Sequence, residues 1–115
     1  MAIKRIESGP RLSRAVVANG MVYLSGLTAD DTSADVKGQT EQILAKIDKY
    51  LKEAGSDKSK IVSANIWLSD IRTFNQMNKA WDAWVSQGNT PARATVESEL
   101  ANPQIQVEIM CQAIL

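Results

Sequence analysis

The sequence has no histidine, and Cys111 is its single cysteine. Without histidine, the chain cannot build a Ser-His-Asp or Cys-His nucleophilic site, or a metal site with imidazole ligands. One cysteine cannot close a disulfide within the chain or form a Cys-X-X-Cys pair. These absences narrow the possible chemistry by exclusion, and we expect no metal site.

The sequence also has no net charge and no long apolar run. Thirteen basic residues balance thirteen acidic ones, and no basic stripe is interleaved with aromatic residues, which argues against nucleic acid as a partner. No apolar stretch approaches the length of a membrane span, and the first six residues lack the apolar core of a signal segment. We therefore expect a cytoplasmic protein that does not bind membranes.

The length of 115 residues fits one domain, which we predict to span residues 1–115. Near its start, Asn19-Gly20 separates two runs of strand-forming residues, 14–18 and 21–25. This dipeptide supplies the positive φ angles of a tight turn, so the segment predicts a β-hairpin. A further short strand is predicted at residues 3–6.

A long helix and a strand are predicted next. Residues 36–54 carry apolar side chains at helical spacing, and Gly55 stands where a left-handed C-terminal cap belongs. Residues 61–68 alternate instead, as in a strand with two unlike faces. The apolar face of this strand would comprise Val62, Ala64, Ile66 and Leu68. The other face would comprise Ser63, Asn65 and Trp67.

A second helix is predicted after this strand. Thr73 and Gln76 have the spacing of a capping box, and the apolar stripe ends near Gly88. The stripe comprises Phe74, Met77, Trp81 and Trp84 or Val85. We assign Trp81 and Trp84 to the hydrophobic core and not to a ligand platform.

The last quarter of the chain predicts two strands with one charged residue of interest in each. Alternation in the first places Arg93 and Thr95 on one face, and alternation over residues 105–113 separates an apolar face from a polar face with Glu108. If the two strands pair, Arg93 and Glu108 would flank one small site. Arginine matches a carboxylate with two parallel hydrogen bonds, and a nearby glutamate can orient or deprotonate a water. An ion pair or a solvated strand face is the alternative interpretation.

These elements predict an α+β sandwich in which both helices cover one face of the sheet. The other face would carry a mixed set of side chains: Ser63, Asn65, Trp67, Arg93, Thr95, Glu108 and Met110. A surface of this mixed character suits contact with another copy of the chain. We therefore predict a cyclic homo-oligomer with sites between its subunits.

Motifs along the whole chain resemble the Rid family of reactive intermediate deaminases, also called the YjgF/YER057c/UK114 family. They comprise Gly20-Met21-Val22-Tyr23-Leu24-Ser25-Gly26, Gln39-Thr40, Phe74-Asn75-Gln76-Met77-Asn78, Pro91-Ala92-Arg93 and Val107-Glu108-Ile109. Each motif is short, but their order and spacing together are specific. Within the family, residues 64–68, 77–84 and 93–96 are similar to the short YoaB-like members.

The resemblance implies a chorismate-mutase-like fold with a mixed sheet, assembled as a homotrimer with clefts between subunits and without a cofactor. It also implies hydrolysis of reactive 2-enamine and 2-imine acids, such as 2-aminoacrylate, to 2-keto acids and ammonia. Such compounds are by-products of pyridoxal-phosphate enzymes. In the family's pattern, Arg93 grips the substrate carboxylate and Glu108 positions the attacking water. The other residues carried over to substrate binding are Ser25, Gly26, Asn78 and Thr95.

Two positions depart from the family's pattern. Arg11-Leu12 follows Gly9-Pro10 where many of these deaminases have a tyrosine, and Thr95 stands where a cysteine is common. The alternative function is therefore a trimer that binds a 2-keto acid or similar metabolite without turning it over. A ribonuclease activity has also been attached to the family, and the neutral charge and missing histidine argue against it.

Overall fold

A computed structural model describes residues 2–115 as a six-stranded sheet with two helices packed on one face. The strands are β1 (Ile3–Ser8), β2 (Ser13–Ala18), β3 (Met21–Leu24), β4 (Ile61–Leu68), β5 (Ala92–Glu97) and β6 (Val107–Ile114). The helices are α1 (Val36–Ala54) and α2 (Phe74–Trp84). The sheet order is β1-β2-β3-β6-β4-β5, in which β4 and β5 run parallel and the other neighbours antiparallel. The predicted α+β architecture is confirmed.

The N-terminal hairpin has the predicted turn. Asn19 and Gly20 have φ angles of 53° and 76°. Strand β2 precedes them, β3 follows them, and the two strands pair antiparallel. The predicted first strand also forms, as β1, and it extends to Ser8. The Asn-Gly dipeptide therefore determines the register of the first part of the sheet.

Helix α1 begins and ends where its sequence indicates. The Asp35 carboxylate accepts a hydrogen bond of 2.8 Å from the amide of Gly38, and Gly55 closes the helix with a φ of 89°. Within residues 2–115, no helix is both long and apolar enough to cross a membrane. The charged residues of α1 lie on its outer side, while its apolar stripe packs on the sheet together with the buried Gln39 and Thr40.

Gln39 ties α1 to two loops from a fully buried position. Its side-chain amide nitrogen lies 3.2 Å from the carbonyl of Thr32 and 3.1 Å from those of Ala34 and Gln104. Its oxygen accepts a hydrogen bond of 3.0 Å from the amide of Gln106. One buried side chain therefore connects α1 to backbone groups of both loops.

The predicted capping box at the start of α2 is wrong. Thr73 ends a 3₁₀ turn, Ile71–Thr73, and its φ of −89° and ψ of 9° differ from the extended conformation of an N-cap. Its hydroxyl donates to the Asp70 carbonyl at 2.6 Å and accepts no bond from the first turn of α2. The helix ends at Trp84, before the Gly88 predicted as its stop. Lys58 donates a hydrogen bond of 2.6 Å to the Trp84 carbonyl and so completes this end of the helix.

The residues of β4 and β6 that are buried under the helices are those that the alternation predicts, except at one position of β4. Val62 is 43% exposed, and Ile61 is buried in its place. The pairing of β4 with β6 shifts register between Ile61 and Ser63, as in a β-bulge. An extra residue on one strand reverses the alternation at that point, which explains the wrong assignment of Val62.

Candidate functional site

Arg93 and Glu108 lie on opposite faces of the sheet. In the parallel pairing of β5 with β4, Arg93 is beside the buried Ala64 on the helix-covered face. In the antiparallel pairing of β6 with β4, Glu108 is beside Trp67 on the uncovered face. The expectation that Arg93 and Thr95 share the uncovered face with Glu108 is therefore wrong.

The two C-terminal strands do not pair, so the condition for a site flanked by both residues within one chain is not met: β4 lies between β5 and β6. Alternation correctly grouped Arg93 with Thr95, and Glu108 with Met110. It could not tell which group faces the helices. That is decided by the register of β5 on β4, a contact between segments distant in sequence.

Three side chains of α2 surround the Arg93 guanidinium. Nη1 of Arg93 donates a hydrogen bond of 2.9 Å to Oδ1 of Asn78. The guanidinium carbon lies 5.1 Å from the ring centroid of Trp81 and 5.7 Å from that of Phe74, within the range of cation–π attraction. We call these four residues, together with Thr95, the arginine half-site.

Among residues 2–115, no carboxylate forms a salt bridge with the Arg93 guanidinium. The salt bridges among residues 2–115 join other side chains. Burial lowers the pKa of Arg93, and Asp82 acts in the opposite direction, but the guanidinium of arginine stays charged at neutral pH. A half-buried cation without a counter-ion is suited to bind an anion, and its planar fork matches a carboxylate.

The Glu108 carboxylate lies directly against the backbone of Gly26, the second residue after β3. A β-carbon placed on Gly26 would overlap Oε2 of Glu108. The φ angle of Gly26 is not positive, so its backbone conformation does not require glycine. The position favours glycine because the Glu108 carboxylate lies where a β-carbon would be. We call Glu108, Gly26, Ser25 and Trp67 the glutamate half-site.

Each half-site contains one buried hydroxyl without a hydrogen-bond partner among residues 2–115. These are Ser25 Oγ in the glutamate half-site and Thr95 Oγ1 in the arginine half-site. Leaving a buried polar group unpaired costs about 1–3 kcal/mol. A hydroxyl without a partner in each half-site is what we expect where a ligand or a second chain completes the hydrogen bonds.

The sequence placed Phe74 in the apolar stripe of α2 and assigned Trp81 to the core, and the contact of both rings with Arg93 was missed. Trp81 is indeed buried, but Phe74 is 38% exposed. A signal was present, because positions 74, 78 and 81 follow the i, i+4, i+7 spacing of one helix face. Two aromatic residues on the same face as Asn78 indicate a platform beside it.

Cys111 is excluded from the chemistry by its position. It is buried on the helix-covered face of β6, and burial raises the pKa of its thiol to about 12. The thiolate, which is the nucleophilic form, is therefore absent at neutral pH.

Comparison with known proteins agrees with this architecture. A family model described as endoribonuclease L-PSP matches residues 2–115. The RutC family protein YoaB of Escherichia coli is 45% identical over 109 residues, which cover 95% of each chain. The crystal structure of NMB1025 from Neisseria meningitidis, a YjgF family protein, has a TM-score of 0.96 at 45% identity and covers 99% of this chain and 95% of its own.

A more distant relative carries the name of an activity. Reactive Intermediate Deaminase A, a chloroplastic protein of Arabidopsis thaliana, is 33% identical over 109 residues, which cover 90% of this chain and 58% of the relative. The motifs, the sheet order and these similarities agree with one another. The chain therefore belongs to the Rid family, whose members are also described as YjgF, RutC or endoribonuclease L-PSP proteins.

Proposed function

We propose that the protein is a hydrolytic deaminase that converts reactive 2-enamine and 2-imine acids to 2-keto acids and ammonia. The observation that carries the proposal is the state of Arg93, a half-buried cation held by Asn78 and two aromatic rings, with no salt bridge to any carboxylate in the described part of the chain. Such a group suits the carboxylate that all these substrates share. The name of the Arabidopsis thaliana relative supports the same reaction class.

The proposed site is built by two chains of a homotrimer. Since the arginine and glutamate half-sites lie on opposite faces of one sheet, a single chain cannot present both to one small ligand. The uncovered face also leaves apolar side chains in solvent, with Tyr23 42% and Val96 50% exposed. A neighbouring subunit seated on this face would bury them and bring its own arginine half-site to Glu108.

The reaction needs an anchor, a directed water and a path for both protons of that water. Arg93 would bind the carboxylate of the protonated imine, whose C2 is already electrophilic. Glu108 of the adjacent subunit would take the first proton as the water oxygen bonds to C2, and would give it to the nitrogen of the tetrahedral intermediate. As the C–N bond breaks, the same carboxylate would accept the hydroxyl proton, which then passes to the departing ammonia or to solvent. Water is consumed, ammonia leaves and the 2-keto acid forms, with no covalent bond to the protein.

The first experiment measures 2-keto acid formation from 2-aminoacrylate that a serine or threonine dehydratase generates, with semicarbazide present to trap the free imine. We expect the protein to accelerate formation, and Arg93→Ala to reduce this acceleration by about thirtyfold or more, since loss of one partner of a buried charge pair costs about 2–5 kcal/mol. Glu108→Gln should lose turnover but retain pyruvate binding. Pyruvate binding without turnover in the unmutated protein would instead establish a non-catalytic binder.

Subunit complementation tests the two-chain site directly. Arg93→Ala and Glu108→Gln chains would be unfolded, mixed in equal amounts and refolded together. Every mixed trimer then contains one cleft with both residues intact, so random assembly should restore about one quarter of the unmutated activity. The same variants refolded separately and then combined are the control. A co-refolded mixture no more active than this control, with mixed trimers present, would mean that the two-chain site is wrong.

A further inference from the structure

We propose that Trp81 and Asn78 are positioning residues, which hold the Arg93 guanidinium in one orientation while leaving its charge free for a ligand carboxylate. This inference rests on the proposed function, because it explains how Arg93 is held ready to bind the carboxylate of a ligand. It differs from a direct role in the reaction, since neither residue needs to touch the reacting atoms. The mechanism is preorganisation of the anchor.

The position of Trp81 is fixed by packing. Its ring is 5% exposed and lies 5.5 Å from that of Trp84, at an interplanar angle of 57°. Trp84 in turn donates a hydrogen bond of 2.9 Å from Nε1 to Asp48 on α1. The Trp81 ring, on which the Arg93 guanidinium packs, is therefore connected through Trp84 to α1 as well as to its own helix. It provides a rigid inner wall for the arginine half-site. Phe74, which is more exposed, covers the guanidinium at the longer distance of 5.7 Å.

Asn78 holds the guanidinium without neutralising it. Its amide oxygen accepts one hydrogen bond from Nη1, while a guanidinium has five N–H donors, so enough remain to form a two-bond fork with a carboxylate. An aspartate at this position could accept the same hydrogen bond. It would also supply a permanent counter-ion, and the ligand would then have to compete with it.

The test uses pyruvate as the probe, with binding measured by calorimetry and folding by urea denaturation. Trp81→Leu should weaken pyruvate binding about five- to thirtyfold, the range expected for one partly desolvated cation–π contact. Trp81→Phe restores an aromatic face and should stay within about threefold of the unmutated protein. Unchanged affinity in folded Trp81→Leu would overturn the assignment of Trp81.

Asn78→Asp separates positioning from structural support. We expect this variant to be at least as stable as the unmutated protein, because it forms an ion pair with Arg93, yet to bind pyruvate about tenfold or more weakly. Asn75→Asp adds the same charge to an exposed position on the same helix and is the matched control. If Asn78→Asp binds pyruvate as well as Asn75→Asp does, the role of Asn78 is wrong.

A measurement without ligand keeps this inference separate from the proposed function. In nitrogen-15 spectra, the side-chain Nε–H signal of Arg93 is identified by its loss in Arg93→Lys. A held guanidinium should give a resolved signal, displaced by the ring of Trp81, that moves to the position of exposed arginines in Trp81→Leu. An unmutated protein that binds no pyruvate would refute the proposed function. Identical Arg93 signals in the unmutated protein and Trp81→Leu would refute the positioning role.

Discussion

Arg93 and Glu108 project from opposite faces of one sheet, and β4 separates the strands that carry them. Each residue has its own supporting groups: α2 surrounds Arg93, while the backbone at Gly26 receives the Glu108 carboxylate. One folded chain is therefore complete as a structure but holds two separate parts of a site. Under the proposed function, chemistry arises where two chains meet.

Replacing Gly26 with alanine should remove turnover while leaving the fold intact. The new methyl group would occupy the place of Glu108 Oε2, and the carboxylate is the end of a flexible side chain that can move away. Since a displacement of about 1 Å at a reacting group can cost about a hundredfold in rate, we expect a loss of at least tenfold in 2-keto acid formation. The imine assay and a urea denaturation curve of the same sample check both parts.

Gly9→Ala is the control for this substitution, because a β-carbon there would meet its nearest neighbour, the Leu12 carbonyl oxygen, at an ordinary 3.7 Å. It should retain full activity. Pyruvate binding by Gly26→Ala should also persist, since Arg93 is untouched. Full turnover in folded Gly26→Ala would show that the position of Glu108 against Gly26 is unimportant for the reaction.

Gln39→Met should destabilise the protein by about 2–4 kcal/mol. Methionine has a similar size but cannot pair with the buried backbone groups that Gln39 satisfies in two loops. Gln42→Met is the matched control, because Gln42 lies on the same helix and bonds Asp31 at a solvent-exposed site. It should cost less than about 1 kcal/mol. Equal urea midpoints for the two variants would contradict the bracing role of Gln39.

We expect ionisation of the Cys111 thiol to lower the free energy of unfolding as the pH rises above 9. Burial raises the thiol pKa from its ordinary value of 9.0 to about 12 in the folded chain, so the unfolded chain loses this proton first. The contribution is fully present below pH 9 and is lost as the pH approaches 12. At pH 10 we expect a loss of about 1 kcal/mol relative to pH 8 from this group.

The measurement compares urea unfolding of the unmutated protein and Cys111→Ala at pH 8 and pH 10. Subtracting the change in the alanine variant removes the contributions of lysine and tyrosine side chains. A thiol reagent at pH 8 should also react with the folded protein far more slowly than with the unfolded chain. Fast labelling of the folded protein would show that the thiol is accessible and its pKa ordinary.

Local sequence signals predicted most of the fold. Asn19-Gly20 determined the hairpin turn, and the apolar spacing that ends at Gly55 determined α1. The predicted α2 cap was wrong because Thr73 belongs to the preceding 3₁₀ turn, where its backbone is not in the extended conformation that an N-cap needs. Each success depends on residues near one another in the chain, where the geometry leaves few choices.

The arrangement of the candidate site was less predictable. The sequence identified Arg93 and Glu108 as residues of interest but placed them on the same face. Which face β5 turns toward α2 depends on its parallel register with β4, and no local pattern encodes that choice. The aromatic partners of Arg93 were missed because an apolar stripe on a helix has the same sequence pattern whether it packs on a leucine or on a guanidinium.

Apart from Trp67 of β4, which lies beside Glu108, the two half-sites belong to different units of the chain. The connection from β4 through α2 to β5 forms the surroundings of Arg93, whereas β3, its following residues and β6 form those of Glu108. Under the proposed function, substitutions in α2 would change how Arg93 binds a ligand without moving the Glu108 carboxylate on the opposite face. The two proposed roles can then diverge separately, so that descendants of such a chain could inherit an unchanged water-activating carboxylate beside a newly shaped anchor, or the reverse.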